Sequence, residues 1–497
     1  MTKVPLTCDR AATRMVGDER GDRDVKELVA RCSLRRTWRA MAWIGLGLFV
    51  MGPRPIQGAD VRPNILVILA DDLGYADLGF TGAKDIPTPH LDRLAREGIQ
   101  CTNGYVSNPF CSPTRAGLLT GRYQQRFGHE HNPPFDPASD SIGLPADQIT
   151  LAQMLKAAGY VTGVVGKWHL GAGKPFYPNE RGFDEFYGFT GGGHRYFCDE
   201  LAAKRDELEK RREAGMPVSP ESFSYVTPLE RNGRAEQPRG YLTDVFGGEA
   251  ADFVRRHGRE GKPWFLYLAF NAPHTPHQAP DVKLEQLVAI ADRRRRCYAA
   301  MVSAMDDAVG EVLAALRQLQ LEERTLVFFL NDNGAPAGAF GKAANNLPLR
   351  GGKRQTYEGG VRVPFVVSWP GRLPPGVYQQ PVVCFDIFAT AAAAAGAQMP
   401  QDRPMDGVNL IPYLTGTASG APHDRLFWRC DEQIGVRMGP WKLCRSAQGK
   451  SELYDLNSDV TESRNVAAEH PDRVKAMLAA YDDWCKGHVP PKFFDPK

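Results

Sequence analysis

The chain has 497 residues, 42% hydrophobic and 24% charged, with a formal net charge of +3. That length supports two or more domains and a large core. The small net charge makes no electrostatic case for nucleic acid, and no run reaches the roughly 18 apolar residues of a membrane span.

The first 39 residues are polar and charged. Arg35, Arg36 and Arg39 then precede AMAWIGLGLFVMG, and Pro53, Pro55 and the small-residue site QGAD follow. A basic stretch, a short apolar stretch and a small-residue site form a secretory signal, expected to be cleaved near Ala59. The basic region is long for a signal, so Met15 is an alternative start; an N-terminal anchor or a buried helix is the competing reading. The expectation is an exported protein, periplasmic or secreted, with a leader over residues 1–59 and no stable membrane span.

From residue 62 onward, short apolar runs alternate with amphipathic stretches. NILVILA, YVTGVVG, PWFLYLAF, TLVFFL and VPFVVSW are rich in Val, Ile, Leu and Phe. Continuous runs of this kind suit strands buried on both faces. LAQMLKAAGY and CYAAMVSAMDDAVGEVLAALRQL read as helices. The alternation predicts an α/β fold: a large, mostly parallel sheet flanked by helices. Residues 201–240 break the pattern with the charged run KRDELEKRREAG, read as a surface excursion. After Pro364 come AAAAAG, ending a helix, then LFWRC, IGVRMGPWKLC and SELYDL, then a last helical stretch. This predicts a small C-terminal antiparallel sheet plus helix. The expected division is a catalytic domain over 60–415 and an α+β subdomain over 416–497. Ten cysteines show no CxxC and no paired Cys/His spacing, so a zinc site is not expected and one or two disulfides stay open.

Polar residues follow four of the apolar runs. Asp71-Asp72 follow NILVILA; Lys167-Trp168-His169 follow YVTGVVG; Asn271-Ala272-Pro273-His274 follow FLYLAF; Asn331-Asp332-Asn333-Gly334 follow TLVFFL. The carboxyl rim of an open α/β sheet is where ligands bind. Asp71, Asp72, Asp332 and Asn333 are hard oxygen donors suited to Ca²⁺ or Mg²⁺. Asp306-Asp307 lie inside an amphipathic helix and read as surface or structural.

In CSPTRAGLLTGRY, Ser112 suits a helix cap and Pro113 the first turn. Cys111 then sits at a helix N-terminus with Arg115 one turn in, able to point back at it. The macrodipole and that cation predict a lowered thiol pKa and a reactive cysteine, against the alternative of a half-buried free thiol. Lys353 lies in LRGGKRQTYEGGVRVP, whose glycines permit close backbone approach.

Together these segments resemble the sulfatase family, of alkaline-phosphatase-like fold. CSPTRAGLLTGR matches the family's Cys-x-Pro-x-Arg signature with its downstream Thr-Gly-Arg, and NILVILADDLGYADLG, VVGKWHLG, NAPHTPHQAP, NDNG and the C-terminal WKL…ELYDL add to it. The subgroup it most resembles is arylsulfatases and N-acetylgalactosamine-6-sulfatase-like bacterial enzymes. The resemblance implies that Cys111 is oxidised to formylglycine by a formylglycine-generating or anaerobic sulfatase-maturating enzyme. It implies Ca²⁺ on Asp71, Asp72, Asp332 and Asn333, with modified Cys111 also reaching the metal. Arg115 and Lys167 would hold the formylglycine hydrate, His169 would be the base that resolves the covalent intermediate, and His274 and Lys353 would contact sulfate and help protonate the leaving oxygen. The substrate implied is a sulfated carbohydrate or aryl sulfate ester. His277 stands where the family often has an apolar residue and is a candidate substrate contact. In TGGGHRYF, His194 and Arg195 are further candidates. The alternatives are a phosphodiesterase or phosphonate monoester hydrolase of the same superfamily, and a non-catalytic sulfated-glycan binder.

Overall fold

The computed structural model describes residues 62–337 and 343–493. The expected leader and its cleavage site near Ala59 lie outside the described residues. Among those described, no helix is long and apolar enough to cross a membrane.

A ten-stranded sheet forms the centre. Five adjacent parallel strands make its middle, in the order Thr325–Asn331, Asn64–Ala70, Trp264–Ala269, Val161–Lys167 and Glu185–Phe189. Their side chains alternate between two cores, as the period-2 pleat requires. Ile65, Val67, Leu69, Phe265 and Tyr267 enter one core with the helices Cys111–Thr120, Leu151–Ala157 and Asp386–Ala395. Leu66, Ile68, Leu266, Leu268 and Phe329 enter the other with the helices Leu242–His257 and Arg293–Gln318. Both faces are covered, which is why the strands read as unbroken apolar runs. Each such side chain contributes about 1.5–3 kcal/mol by leaving water.

The strands that join this middle on each side are antiparallel, which the sequence did not signal, and the outermost flanking pair, Ile99–Cys101 with Gly376–Tyr378, is parallel again. Phe365–Ser368, from the run VPFVVSW, pairs antiparallel with Thr325–Asn331. The hairpin Leu229–Arg231/Arg234–Glu236 extends the other edge antiparallel to Glu185–Phe189. It lies inside the stretch read as a surface excursion. Its three-residue strands are too short and polar to show a strand period, and charges such as Arg231–Glu236 suit an exposed edge. The charged helix Leu201–Glu213 is exposed, as expected.

Asp306 is buried and accepts backbone N–H bonds from His90 and Leu91 at 3.1 and 2.8 Å, closing the start of the helix Pro89–Glu97. Asp307 pairs with Lys283. Both roles are structural, as the amphipathic context indicated.

The C-terminal strands Arg425–Cys430, Gln433–Met438, Trp441–Arg445 and Ser451–Asp455 form an antiparallel sheet, followed by the helix Pro471–Cys485. Its apolar side chains join the first core without a break. It also pins the loop that carries Lys353. Lys442 pairs with Glu358 at 2.7 Å, both fully buried. Thr356 donates to the Ile434 carbonyl, and Gln433 to that of Arg354. Removing one partner of such a buried pair costs about 3–5 kcal/mol. No disulfide forms among the described residues.

Candidate functional site

Four of the five central strands bring their carboxyl ends to one rim. Because they are adjacent and parallel, Asp332-Asn333, Asp71-Asp72, Asn271 to His274, and Lys167 to His169 emerge side by side. The helix beginning at Cys111 completes the floor.

That helix starts two residues earlier than expected, at Cys111, with Phe110 before it and no side-chain cap. Ser112 is therefore not the cap. Its hydroxyl donates to the His169 carbonyl at 2.6 Å and lies 2.6 Å from His129 Nε2. The carbonyl can only accept, so the ring N–H of His129 donates to Ser112 Oγ. Arg115 stays within electrostatic reach of Cys111 but spends its hydrogen bonds elsewhere. Its guanidinium grips Asp332 Oδ2 at 2.7 and 3.1 Å and donates to the Lys167 carbonyl at 3.0 Å. The expected thiolate is corrected as well. Burial pushes the Cys111 thiol up to about 12, and the opposing pull of Lys167 and Lys353 does not reverse it. Desolvation outweighs helix end and cations together.

Asp71, Asp72, Cys111 and His274 each offer a ligand atom, and these atoms lie within 4.8 Å of one another. The Cys111 thiol is 3.7 Å from Asp71 Oδ1. Asp332 joins through its Oδ1, 3.4 Å from the Asp72 amide. Asn333 donates to Asp72 Oδ1 at 2.7 Å, and its own buried Oδ1 has no hydrogen-bond partner. An orphaned amide oxygen among carboxylates is what a hard cation requires. Burial and the neighbouring Asp71 push Asp332 up to about 6. Burial also opposes the Asp72 charge, yet Lys353 and His274 hold that carboxyl well below its usual range.

The other half of the site is cationic. Lys167 pairs with Asp71 at 2.6 Å and Lys353 with Asp72 at 2.7 Å. Burial works against the Lys353 charge, but Asp72 and its neighbours hold the amine well above its usual range. His274 Nε2 stands 3.6 Å from Asp72 Oδ2, and burial lowers His274 to about 4. Burial, then Lys167 and Arg115, push His169 well below the usual imidazole range, so its ring is neutral. Asp72 and His169 both sit at left-handed φ, +61° and +59°. Such backbone costs energy and clusters at working sites. The charges of Asp71, Asp72 and Asp332 balance those of Arg115, Lys167 and Lys353. A divalent cation would leave a net positive centre for an anionic ester.

A cavity of about 320 Å³ opens over this centre, lined by Asp72, His274, His277, Tyr298, Lys353 and Arg354 among others. His277 thus faces the pocket as a contact would. His194 does not. It is buried, and its ring nitrogens lie 2.9 Å from the carbonyls of Arg195 and Thr227, so its assignment as a substrate contact is corrected. Arg195 lines a neighbouring groove and lies 3.6 Å from Glu200.

The sequence reading missed Tyr225, Arg354 and the His129–Ser112 pair. Only the glycines of TGGGH hinted at close packing there. A Cβ on Gly192 would lie 2.7 Å from His169 Nε2, and one on Gly193 would lie 2.5 Å from the Tyr225 ring.

A family profile described as Sulfatase matches residues 63–397, and one described as N-sulphoglucosamine sulphohydrolase, C-terminal, matches 352–480. N-acetylgalactosamine-6-sulfatase of Canis lupus familiaris is 37% identical over 400 residues, spanning 78% of this chain and 72% of its own length. Steryl-sulfatase of Rattus norvegicus is 34% identical over 509 residues, spanning 90% of this chain and 85% of its own. The crystal structure of Ps i-CgsB in complex with k-i-k-neocarrahexaose aligns with a TM-score of 0.81 at 37% identity, covering 88% of this chain and 95% of that one.

Proposed function

This chain belongs to the sulfatase family and is a sulfuric ester hydrolase; on that premise we propose that it removes sulfate from a sulfated carbohydrate, using formylglycine derived from Cys111 and a bound Ca²⁺. The observation that carries the reading is the meeting of Cys111 with Asp71, Asp72 and His274, ligand atoms within 4.8 Å, beside Lys167 and Lys353. Carbohydrate is favoured over aryl sulfate because two of the similar proteins are named for, or bound to, saccharides.

Asp71, Asp72, Asp332 and Asn333 would hold the cation, Ca²⁺ or Mg²⁺, which supplies Lewis-acid polarisation of the ester and its nucleophile. A formylglycine hydrate at Cys111 would supply a nucleophilic hydroxyl and a second hydroxyl able to lose a proton. This chain's own residues do the rest. Arg115 fixes Asp332, and Lys167 fixes Asp71, so neither carboxylate can rotate away. Lys353, charged and anchored on Asp72, covers the sulfate oxygens and the departing oxygen with His274. The neutral ring of His169 takes the proton in the resolving step.

Every residue of the helix Cys111–Thr120 is buried. A maturating enzyme therefore reaches the motif before this region folds. Export through the leader over residues 1–59 to the periplasm or medium belongs to the same reading, as do a catalytic domain over 60–415 and a subdomain over 416–497.

The test is the mass of the tryptic peptide carrying Cys111, from protein made beside a maturating enzyme. Formylglycine makes it about 18 Da lighter, and sulfate release should require that species. An unconverted thiol, with a control substrate converted, removes the nucleophile. Faster turnover of phosphate or phosphonate esters would reassign the reaction. Glycan binding without turnover, unchanged in Cys111→Ala, would make the chain a binding protein.

A further inference from the structure

A second groove, of about 490 Å³, adjoins the catalytic pocket. That volume lies within the range of small-molecule sites. Arg195, Lys204, Glu221, Ser222 and Tyr225 line it, and Thr275 lines both cavities. The two therefore meet at the loop that carries His274.

Tyr225 lines the second groove close to that junction. Its ring lies 6.5 Å from the His274 ring, centroid to centroid. Beneath it is Gly193, where a Cβ would fall 2.5 Å from the ring. The tyrosine is only partly buried and rests on a glycine shelf beside the reaction centre. A flat, partly exposed aromatic face packs well against the C–H face of a pyranose. The helix Leu201–Glu213 and the short helix Pro220–Ser224 also contribute lining residues.

The charges of the groove are largely matched already. Lys204 pairs with Glu207 at 2.9 Å, and Arg195 lies 3.6 Å from Glu200. Ser224 donates to Glu221 at 3.1 Å. The groove thus offers hydroxyl and carboxylate partners for sugar hydroxyls, but no surplus positive charge for a second sulfate.

We propose that this groove is a saccharide subsite. It takes an unsulfated, hydroxyl-rich sugar unit next to the one that loses sulfate, stacked on Tyr225, and so selects glycan chains over monosaccharides. This rests on the sulfated-carbohydrate reading above.

The matured full-length enzyme is assayed on mono-, di-, tetra- and hexasaccharides of κ-carrageenan, chondroitin sulfate and heparan sulfate, with 4-nitrophenyl sulfate as a substrate too small to reach the groove. For the best glycan, kcat/KM should rise at least tenfold from the monosaccharide to the tetrasaccharide. Tyr225→Ala should lower the ratio of tetrasaccharide to 4-nitrophenyl sulfate kcat/KM about tenfold, chiefly through KM. Ser222→Trp, which fills the groove without touching the centre, should do the same. Equal rates along the length series, or an unchanged ratio in both variants, overturn the proposal. So does a preference for a sulfate on the neighbouring unit. Turnover of 4-nitrophenyl sulfate but of no glycan overturns it while leaving the sulfatase chemistry intact. No turnover of any ester, with Cys111 converted, refutes the carbohydrate reading and this proposal with it.

Discussion

Gly192→Ala separates the fold from the chemistry. The added Cβ would lie 2.7 Å from His169 Nε2 and 3.0 Å from Cε1. Ordinary carbon contacts begin near 3.5 Å, so the ring must move by roughly 0.8 Å. Gly192 has no left-handed φ, so alanine adopts its backbone without strain. The loop is partly exposed, and the stability cost should stay at about 1 kcal/mol. Catalysis is less tolerant, since a misplacement near 1 Å can cost on the order of 100-fold. The expected result is a kcat lower by roughly 100-fold, about 2.7 kcal/mol of barrier. The assay is kcat on 4-nitrophenyl sulfate beside a thermal melt and the formylglycine content of the same sample. A kcat within threefold of the parent, at equal formylglycine content, would refute the role given to His169. A Tm collapse would instead mean that the glycine serves the fold.

Other substitutions probe the rest of the centre. Asp332→Ala should abolish metal binding and activity, and it removes the main carboxylate partner of the buried Arg115 guanidinium, lowering stability by roughly 3–5 kcal/mol while the chain still folds; full activity in chelator-treated protein would contradict the metal assignment. Lys353→Ala should slow poor leaving groups most, read from kcat across a series of aryl sulfates; a uniform loss would place Lys353 on sulfate binding alone. Away from the site, Glu185 and Glu260 raise His257 above its ordinary value despite burial. A raised histidine stabilises the fold below its unfolded pKa near 6.5, and this is lost as pH rises through the folded value. His257→Gln should therefore lower Tm more at pH 5.5 than at pH 9, and an equal loss at both would show packing alone.

Much of this protein is legible along the chain. Apolar runs such as NILVILA and TLVFFL are continuous because both sheet faces are covered, and that requirement is local enough to read. Their polar successors, Asp71-Asp72 and Asp332-Asn333, mark the carboxyl rim because a parallel sheet puts every such end on one side. The Cys-x-Pro-x-Arg motif survives in sequence because its spacing is a single helical stretch. Other features were decided only in three dimensions. His194 and Arg195 are neighbours in the chain, yet one is enclosed by carbonyls and the other lines a groove. Ser112 looks like a cap but spends its hydroxyl on the His169 carbonyl, 57 positions away. The Cys111 thiol has the helix end and cations expected to lower its pKa, and burial overrules both. Sequence specifies periodicity and residue type, which act over a few positions. Desolvation and long-range contact depend on what the fold stacks against each group, and for this chain they decide which named residues face the substrate.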